Sequence, residues 1–362
     1  MQDPYPVTPF IVPASAKVSV PGSKSITNRA LILAALSNGV TLLENCLFSR
    51  DTEIMVQALL DLGFEVDTNV SVKTIRVAGA SGRIPNSAAS INIGNSGTSA
   101  RFLTAMLAVR DGGEYTLDGD EAMRRRPIQK LADTLVQLGC EIDTTNGFFP
   151  IRIRPRGLSG KSAQVDATES SQFVSALLMA APLAQNDIEI VLSNPSIRRG
   201  YIDLTLKMMQ SFGIAAEKLI PSDSSYRIGT SPYQAPTNGY LIESDASAAS
   251  YFMALPLATG GTVEIEGLTQ NSMQGDIAFA QIAESAGASL DWTSNSLVVS
   301  FDRSRLQLRS LSENYYAYSD TFMTGAAIAP LAHGVTRIDG IAHTRHQECD
   351  RIAAMVDGLN RA

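Results

Sequence analysis

The sequence predicts an α/β protein of two domains, built from one supersecondary unit used repeatedly. Three observations carry this. A run of helix, strand, helix, strand, strand returns at intervals of roughly 74 residues. The chain has 362 residues, long for one domain. No G-x-G-x-x-G follows a strand-like run, which argues against a single dinucleotide-binding sheet.

The first helix of each unit is an Ala/Leu/Met-rich stretch, followed by a polar break usually holding Gly and then a short alternating strand. It reads ALILAALSNGVTLLENC from Ala30, FLTAMLAVRDGGEYTLDG from Phe102 and SALLMAAPLAQNDIEIVLSN from Ser175. It returns as YFMALPLATGGTVEIEG from Tyr251 and MTGAAIAPLAHGVTRIDG from Met323. The second helix follows as TEIMVQALLDLG, PIQKLADTLVQLG, YIDLTLKMMQSFG, GDIAFAQIAESAG and CDRIAAMVDGLN. The first four end in the Gly expected at a helix C-terminus. Two strand-like runs then close each unit, for example FEVDTN with KTIRVAG. The fifth copy stops at Ala362, before its paired strands, and the expectation is a truncation; a naturally shortened fifth unit is the alternative.

Composition narrows the function classes. Hydrophobic residues make up 44% and the net charge is -7, which suits a globular protein and speaks against general nucleic-acid affinity. No apolar run reaches the roughly 18 residues of a membrane span, and the N-terminus lacks a secretory pattern. Cys46, Cys140 and Cys349 form no framework, which fits a reducing cytoplasm. His333, His343 and His346 include one lone HxxH, too little for a metal site. No metal or cofactor is expected.

Each first helix begins with a small polar cluster: Ser23-Lys24-Ser25, Asn95-Ser96-Gly97-Thr98, Ser170-Ser171-Gln172, Ser244-Asp245-Ala246-Ser247 and Ser319-Asp320-Thr321. Plain N-capping accounts for any one of them. Five at equivalent points of a repeat suggest helix N-termini converging on an anion site. Lys24, Arg29, Arg101 and the run Arg124-Arg125-Arg126 supply cations near those starts, where a helix dipole by itself disfavours them. Asp320 and Glu348 add the carboxylates that general acid–base chemistry needs.

At these residues a resemblance appears. PGSKSITNRALILAAL (Pro21 to Leu36) and NSGTSAR (Asn95 to Arg101) resemble the two signatures of the EPSP synthase family. RRRPI, SSQFVSALLMAAPLA, YIDLTLKMM, DASAASYF and NSMQGD are similar to further family segments in the same order. The resemblance implies a two-domain inside-out α/β barrel of repeated βαβαββ units (the EPT/RTPC-like fold), here with its last unit missing. One domain spans residues 23–240; residues 1–22 plus 241–362 form the other, with two of three units.

The implied reaction transfers the carboxyvinyl group of phosphoenolpyruvate to the 5-hydroxyl of shikimate 3-phosphate. By the same resemblance Lys24, Ser25, Arg29, Ser170, Ser171, Gln172, Tyr201, Asp320 and Gln347 hold shikimate 3-phosphate. Lys24, Gly97, Arg126 and Arg351 surround phosphoenolpyruvate, and Lys24, Asp320 and Glu348 handle protons. The expected protein is a cytoplasmic monomer.

Three positions depart from the family pattern. Gln347 stands where a Lys is usual, Arg198 where a phosphate-contacting Ser is frequent, and Ser319 where a Pro is expected to stiffen the turn before Asp320. Two other readings stay open. One is a sister enzyme acting on UDP-N-acetylglucosamine, disfavoured by the lack of a Cys in GDEAMRRRP. The other is an inactive homologue that only binds anions, which Gln347 favours.

Overall fold

The computed structural model describes residues 8–347 and 349–362. They form two compact units, Gly22–Glu243 and a second made of Ser244–Ala362 with the chain up to Pro21. Strand β1 (Ala14–Ser19) comes first. The Gly22–Glu243 unit then runs α1 (Lys24–Leu36), β2 (Asn38–Glu44), α2 (Arg50–Asp61), β3 (Glu65–Asn69) and β4 (Thr74–Ala80). The pattern repeats as β5 (Ala88–Asn92), α3 (Gly97–Ala108), β6 (Glu114–Asp118), α4 (Gln129–Gln137), β7 (Glu141–Thr145) and β8 (Phe148–Arg154). It returns as β9 (Ser162–Val165), α5 (Gln172–Ala180), β10 (Ile188–Leu192), α6 (Gly200–Ser211), β11 (Leu219–Pro221) and β12 (Ser225–Ile228).

After β13 (Tyr240–Leu241), the other unit has α7 (Ala246–Thr259), β14 (Gly261–Glu266), α8 (Phe279–Ser285), β15 (Ser289–Trp292) and β16 (Ser296–Phe301). It closes with β17 (Ser312–Asn314), α9 (Phe322–Ile328), β18 (Arg337–Asp339) and α10 (Arg351–Arg361).

Each complete repeat makes a four-stranded sheet, as in the order β5-β6-β8-β7. The strands flanking the first helix pair in parallel, and the closing strands add antiparallel. The starting strands of two sheets are exchanged along the chain. β1 pairs with β14, so the first strand belongs with the late residues. β13 pairs with β2, at the other end of the sequence.

The burial pattern follows composition. α1, α3 and α5, apolar nearly all round, are buried on every face from Ile26 to Leu36, Gly97 to Ala108 and Phe173 to Ala180. α2 buries only a stripe of Thr52, Met55, Ala58 and Leu59. The strands alternate; in β8, Phe149, Ile151 and Ile153 are buried while Arg152 is exposed. Helices therefore lie inside and sheets keep one wet face, the reverse of a parallel sheet covered by helices on both sides.

Gly261 shows what attaches β1. Its φ is +97°, and a Cβ there would lie 1.9 Å from the Ala14 carbonyl oxygen, across the register that pairs these two residues. Gly261→Ala is expected to cost about 2 kcal/mol or more through strain and lost pairing. Denaturant unfolding measures this, and an unmoved midpoint would show that β1 docks without the close approach.

Candidate active site

Within Gly22–Glu243, three buried first helices are tied together by one guanidinium. Arg29 of α1 donates from Nε to Thr205 Oγ1 (2.8 Å), from Nη1 to the Ser25 carbonyl (3.0 Å) and from Nη2 to Ser175 Oγ (3.3 Å) and the Tyr201 carbonyl (3.4 Å). It also lies over the rings of Phe102 and Tyr201, at 5.0 and 5.5 Å. Burial lowers its pKa to about 10, so it remains a cation at neutral pH. Four donor contacts are thus made inside the protein, leaving little of this side chain for a ligand. Ser25 is half-buried beside it, and Tyr201 lies in the first turn of α6.

The helix starts differ in how their amides are used. Ser96 caps α3, accepting from the Ser99 N–H at 3.3 Å. Ser23 makes no side-chain cap for α1, and Ser171 makes none for α5. Ser170 Oγ accepts from the Gln172 N–H at 3.2 Å, so the three residues form a tight turn opening α5. Simple capping therefore accounts for only part of the pattern.

The Arg triplet separates by partner. Arg124 pairs with Asp118 and Arg125 with Glu121. Arg126 instead sets its guanidinium against Gly97 at the start of α3, with Nη1 donating to the Asn95 carbonyl at 3.4 Å. A Cβ on Gly97 would lie 2.6 Å from Arg126 Nη2, so only Gly leaves room for this packing. A cation held at a helix N-terminus opposes the dipole, and a bound anion relieves both. Arg101 is buried under the same turn, donating to the carbonyls of Gly97 (3.4 Å) and Pro127 (3.0 Å). Its geometry is that of a support, not of a ligand.

Lys24 is half-exposed, its Nζ 3.3 Å from Asp51 Oδ2. Asp51 sits in the first turn of α2, where the dipole favours an anion. Sequence reasoning did not single it out; a carboxylate following Ser49 and Arg50 gave only a helix-start signal. Lys130 binds Asp166 (2.8 Å) and Glu169 (2.9 Å) just before Ser170, and with Thr168 it holds Asp166 down at about 2. Arg198 is half-buried in the loop before α6.

The remaining candidates lie in the other unit. Asp320 sits in the 3-10 turn Ser319–Thr321, with Oδ1 2.7 Å from Arg351 Nη1 at the start of α10. Both are partly buried. Ser319 was expected to loosen this turn, but the structure ties it: Ser319 is 4% exposed, and its Oγ lies 2.9 Å from His343 Nε2. Gln347 is half-buried, and its side-chain oxygen has no hydrogen-bond partner among the described residues. Glu348 lies outside the described residues. Asp276, buried near Asp320, was missed in the sequence, although its segment NSMQGD was noted.

Among the described residues, no three His, Cys, Asp or Glu side chains gather as metal ligands do. No helix of the described residues is long and apolar enough to cross a membrane. The cysteines are free, and burial pushes the thiols of Cys46 and Cys140 up to about 12.

Comparison with known proteins is consistent with this geometry. The family model of EPSP synthase (3-phosphoshikimate 1-carboxyvinyltransferase) matches residues 11–362. A 3-phosphoshikimate 1-carboxyvinyltransferase of Opitutus terrae is 42% identical over 364 residues, covering 99% of this chain and 80% of that protein. The chloroplastic 3-phosphoshikimate 1-carboxyvinyltransferase of Petunia hybrida is 40% identical, covering 96% and 70%. Among solved structures, an EPSP synthase from Acinetobacter baumannii superposes with a TM-score of 0.79 at 26% identity, covering 96% of this chain and 79% of that one. The expected fold class is thereby shown. With family match, sequence identity and fold in agreement, the chain belongs to the EPSP synthase family.

Proposed function

We propose that the helix starts of the Gly22–Glu243 unit supply most of the groups that bind the two substrates of the carboxyvinyl transfer, and that Lys24 acts in proton transfer together with Asp320 and Glu348 of the other unit. As a carboxyvinyltransferase of this family, the protein joins the 5-hydroxyl of shikimate 3-phosphate to C2 of phosphoenolpyruvate. A proton reaches the methylene carbon, a tetrahedral intermediate forms, and its collapse returns the vinyl group and releases phosphate.

In this reading Ser170, Ser171 and Gln172 receive shikimate 3-phosphate at the start of α5, with Ser25 and Tyr201 beside it. Arg29 serves mainly by holding Ser25 and Tyr201 in place, keeping at most one N–H for the ligand. Lys24, Gly97 and Arg126 are assigned to phosphoenolpyruvate, as is Arg351 of the other unit. Lys24 and Glu348 move the proton at the methylene carbon, while Asp320 and Gln347 meet the shikimate hydroxyls.

The observation that carries this reading is Arg126 packed on Gly97 at the start of α3. It places a cation where backbone N–H groups also favour negative charge, an arrangement that a bound anion stabilises. Gly97→Ala tests it. The added methyl displaces the guanidinium, and KM for phosphoenolpyruvate is expected to rise about tenfold or more, the cost of one weakened charge-assisted bond. Affinity for shikimate 3-phosphate should change little. Unchanged steady-state KM for phosphoenolpyruvate would remove the assignment.

A further inference from the structure

The segment 271–276 crosses the start of α7 and inserts two side chains there. Gln274 Oε1 accepts from the Ala246 N–H at 3.1 Å, and its amide donates to the Ser244 carbonyl at 2.8 Å. Two residues on, the Asp276 carboxylate accepts from the Ser247 hydroxyl. Asp276 is 6% exposed, and the 3-10 turn carrying it, Gly275–Ala278, packs against the Ser319–Thr321 turn that carries Asp320. A second carboxylate is therefore walled in beside the Asp320–Arg351 pair, bonded to a hydroxyl that cannot neutralise it.

We propose that Asp276 is a positioning residue whose charge state decides how much of the Arg351 positive charge is spent inside the unit and how much is offered to phosphoenolpyruvate. This rests on the assignment of Arg351 to phosphoenolpyruvate above. The groups acting on Asp276 are Asp320 from its turn, Asp245 at the start of α7 and Arg351 from α10. α7 itself carries no charged residue, and α8 carries only Glu284, in its last turns. Burial first, then repulsion from Asp320 and Asp245, against the opposing pull of Ser247 and Arg351, pushes Asp276 up to about 7. Below that pH Arg351 faces the Asp320 carboxylate with Asp276 neutral; above it Arg351 faces both as anions, and the anionic substrate meets one more negative charge.

The variant Asp276→Asn keeps the shape and an acceptor for Ser247 but cannot ionise. From pH 6 to 8.5, KM for phosphoenolpyruvate should rise about fivefold more in wild type than in D276N, one added unit charge at short range in a partly screened site. The kcat of the two should run in parallel. Substrate ionisation is common to both, so the ratio of their KM values isolates Asp276. Thermal melting gives a second reading. A carboxyl that holds its proton longer when folded loses stability as pH rises, so D276N should gain on wild type between about pH 4 and pH 7 and hold that lead above. A KM ratio that stays constant with pH overturns the proposal, as does a melting difference that does not vary. Arg351→Ala separates the two layers of the argument. If it leaves KM for phosphoenolpyruvate unchanged, the assignment of Arg351 falls and this inference falls with it. If it raises KM while D276N tracks wild type, the inference alone is wrong.

Discussion

Asp320→Ala is expected to lower turnover about 10²-fold or more, the usual loss of a general acid–base group, while shikimate 3-phosphate binding weakens far less. The side chain sits partly buried with Oδ1 2.7 Å from Arg351 Nη1. Removing it deletes the carboxylate assigned to the reacting hydroxyl and takes from Arg351 one bonded counter-charge. The companion variant Asp320→Asn separates these effects. It retains an oxygen acceptor for Arg351 but is no base, so it should lose turnover comparably while perturbing Arg351 less. Phosphate release measures kcat, and calorimetry measures shikimate 3-phosphate affinity. Turnover within a factor of two of wild type in Asp320→Ala would show that another group handles the hydroxyl proton.

Arg29→Ala is expected to destabilise the Gly22–Glu243 unit by about 3 kcal/mol, from several lost charge-assisted bonds and the cavity left behind, less the relief of a buried charge. Thr205, Ser175 and the carbonyls of Ser25 and Tyr201 lose a common donor, and the rings of Phe102 and Tyr201 lose the cation between them. Arg29→Lys should recover less than half of this. A single ammonium cannot reproduce the planar fork that reaches acceptors on α1, α5 and α6 together. Denaturant unfolding gives the stability, and calorimetry on the Lys variant gives shikimate 3-phosphate affinity. A Lys variant as stable as wild type would mean that the charge, and not the fork, holds the helices.

Much of the architecture was legible because it is local. Apolar residues all round Ala30–Leu36 and Phe102–Ala108 announce helices that must be buried whole. Alternation in Phe149, Ile151 and Ile153 announces a strand with one wet face. The cation-rich starts were legible too, since Lys24 and Arg126 stand where a dipole alone gives them no reason to be. Other features depend on contacts remote in sequence. Arg124, Arg125 and Arg126 are chemically the same residue, and only the turn Met123–Arg125 sends the first two to carboxylates and the third to Gly97. Arg29 reads as a ligand by its motif, yet its donors reach residues 146 and 176 positions away.

The sequence by itself determined the repeated unit, which helices are inner, and which residue types gather at helix starts, because periodicity and composition act within a few turns of chain. The family resemblance grouped residues 1–22 with 241–362, but the tertiary structure decided the pairings of β1 with β14 and of β13 with β2, since alternating strands carry no mark of the sheet edge they complete. It also decided the charge relations of Asp276, Asp320 and Arg351. Those depend on burial and on distances of a few ångströms between segments far apart in the chain, and Coulomb interaction in a dry interior varies steeply with both.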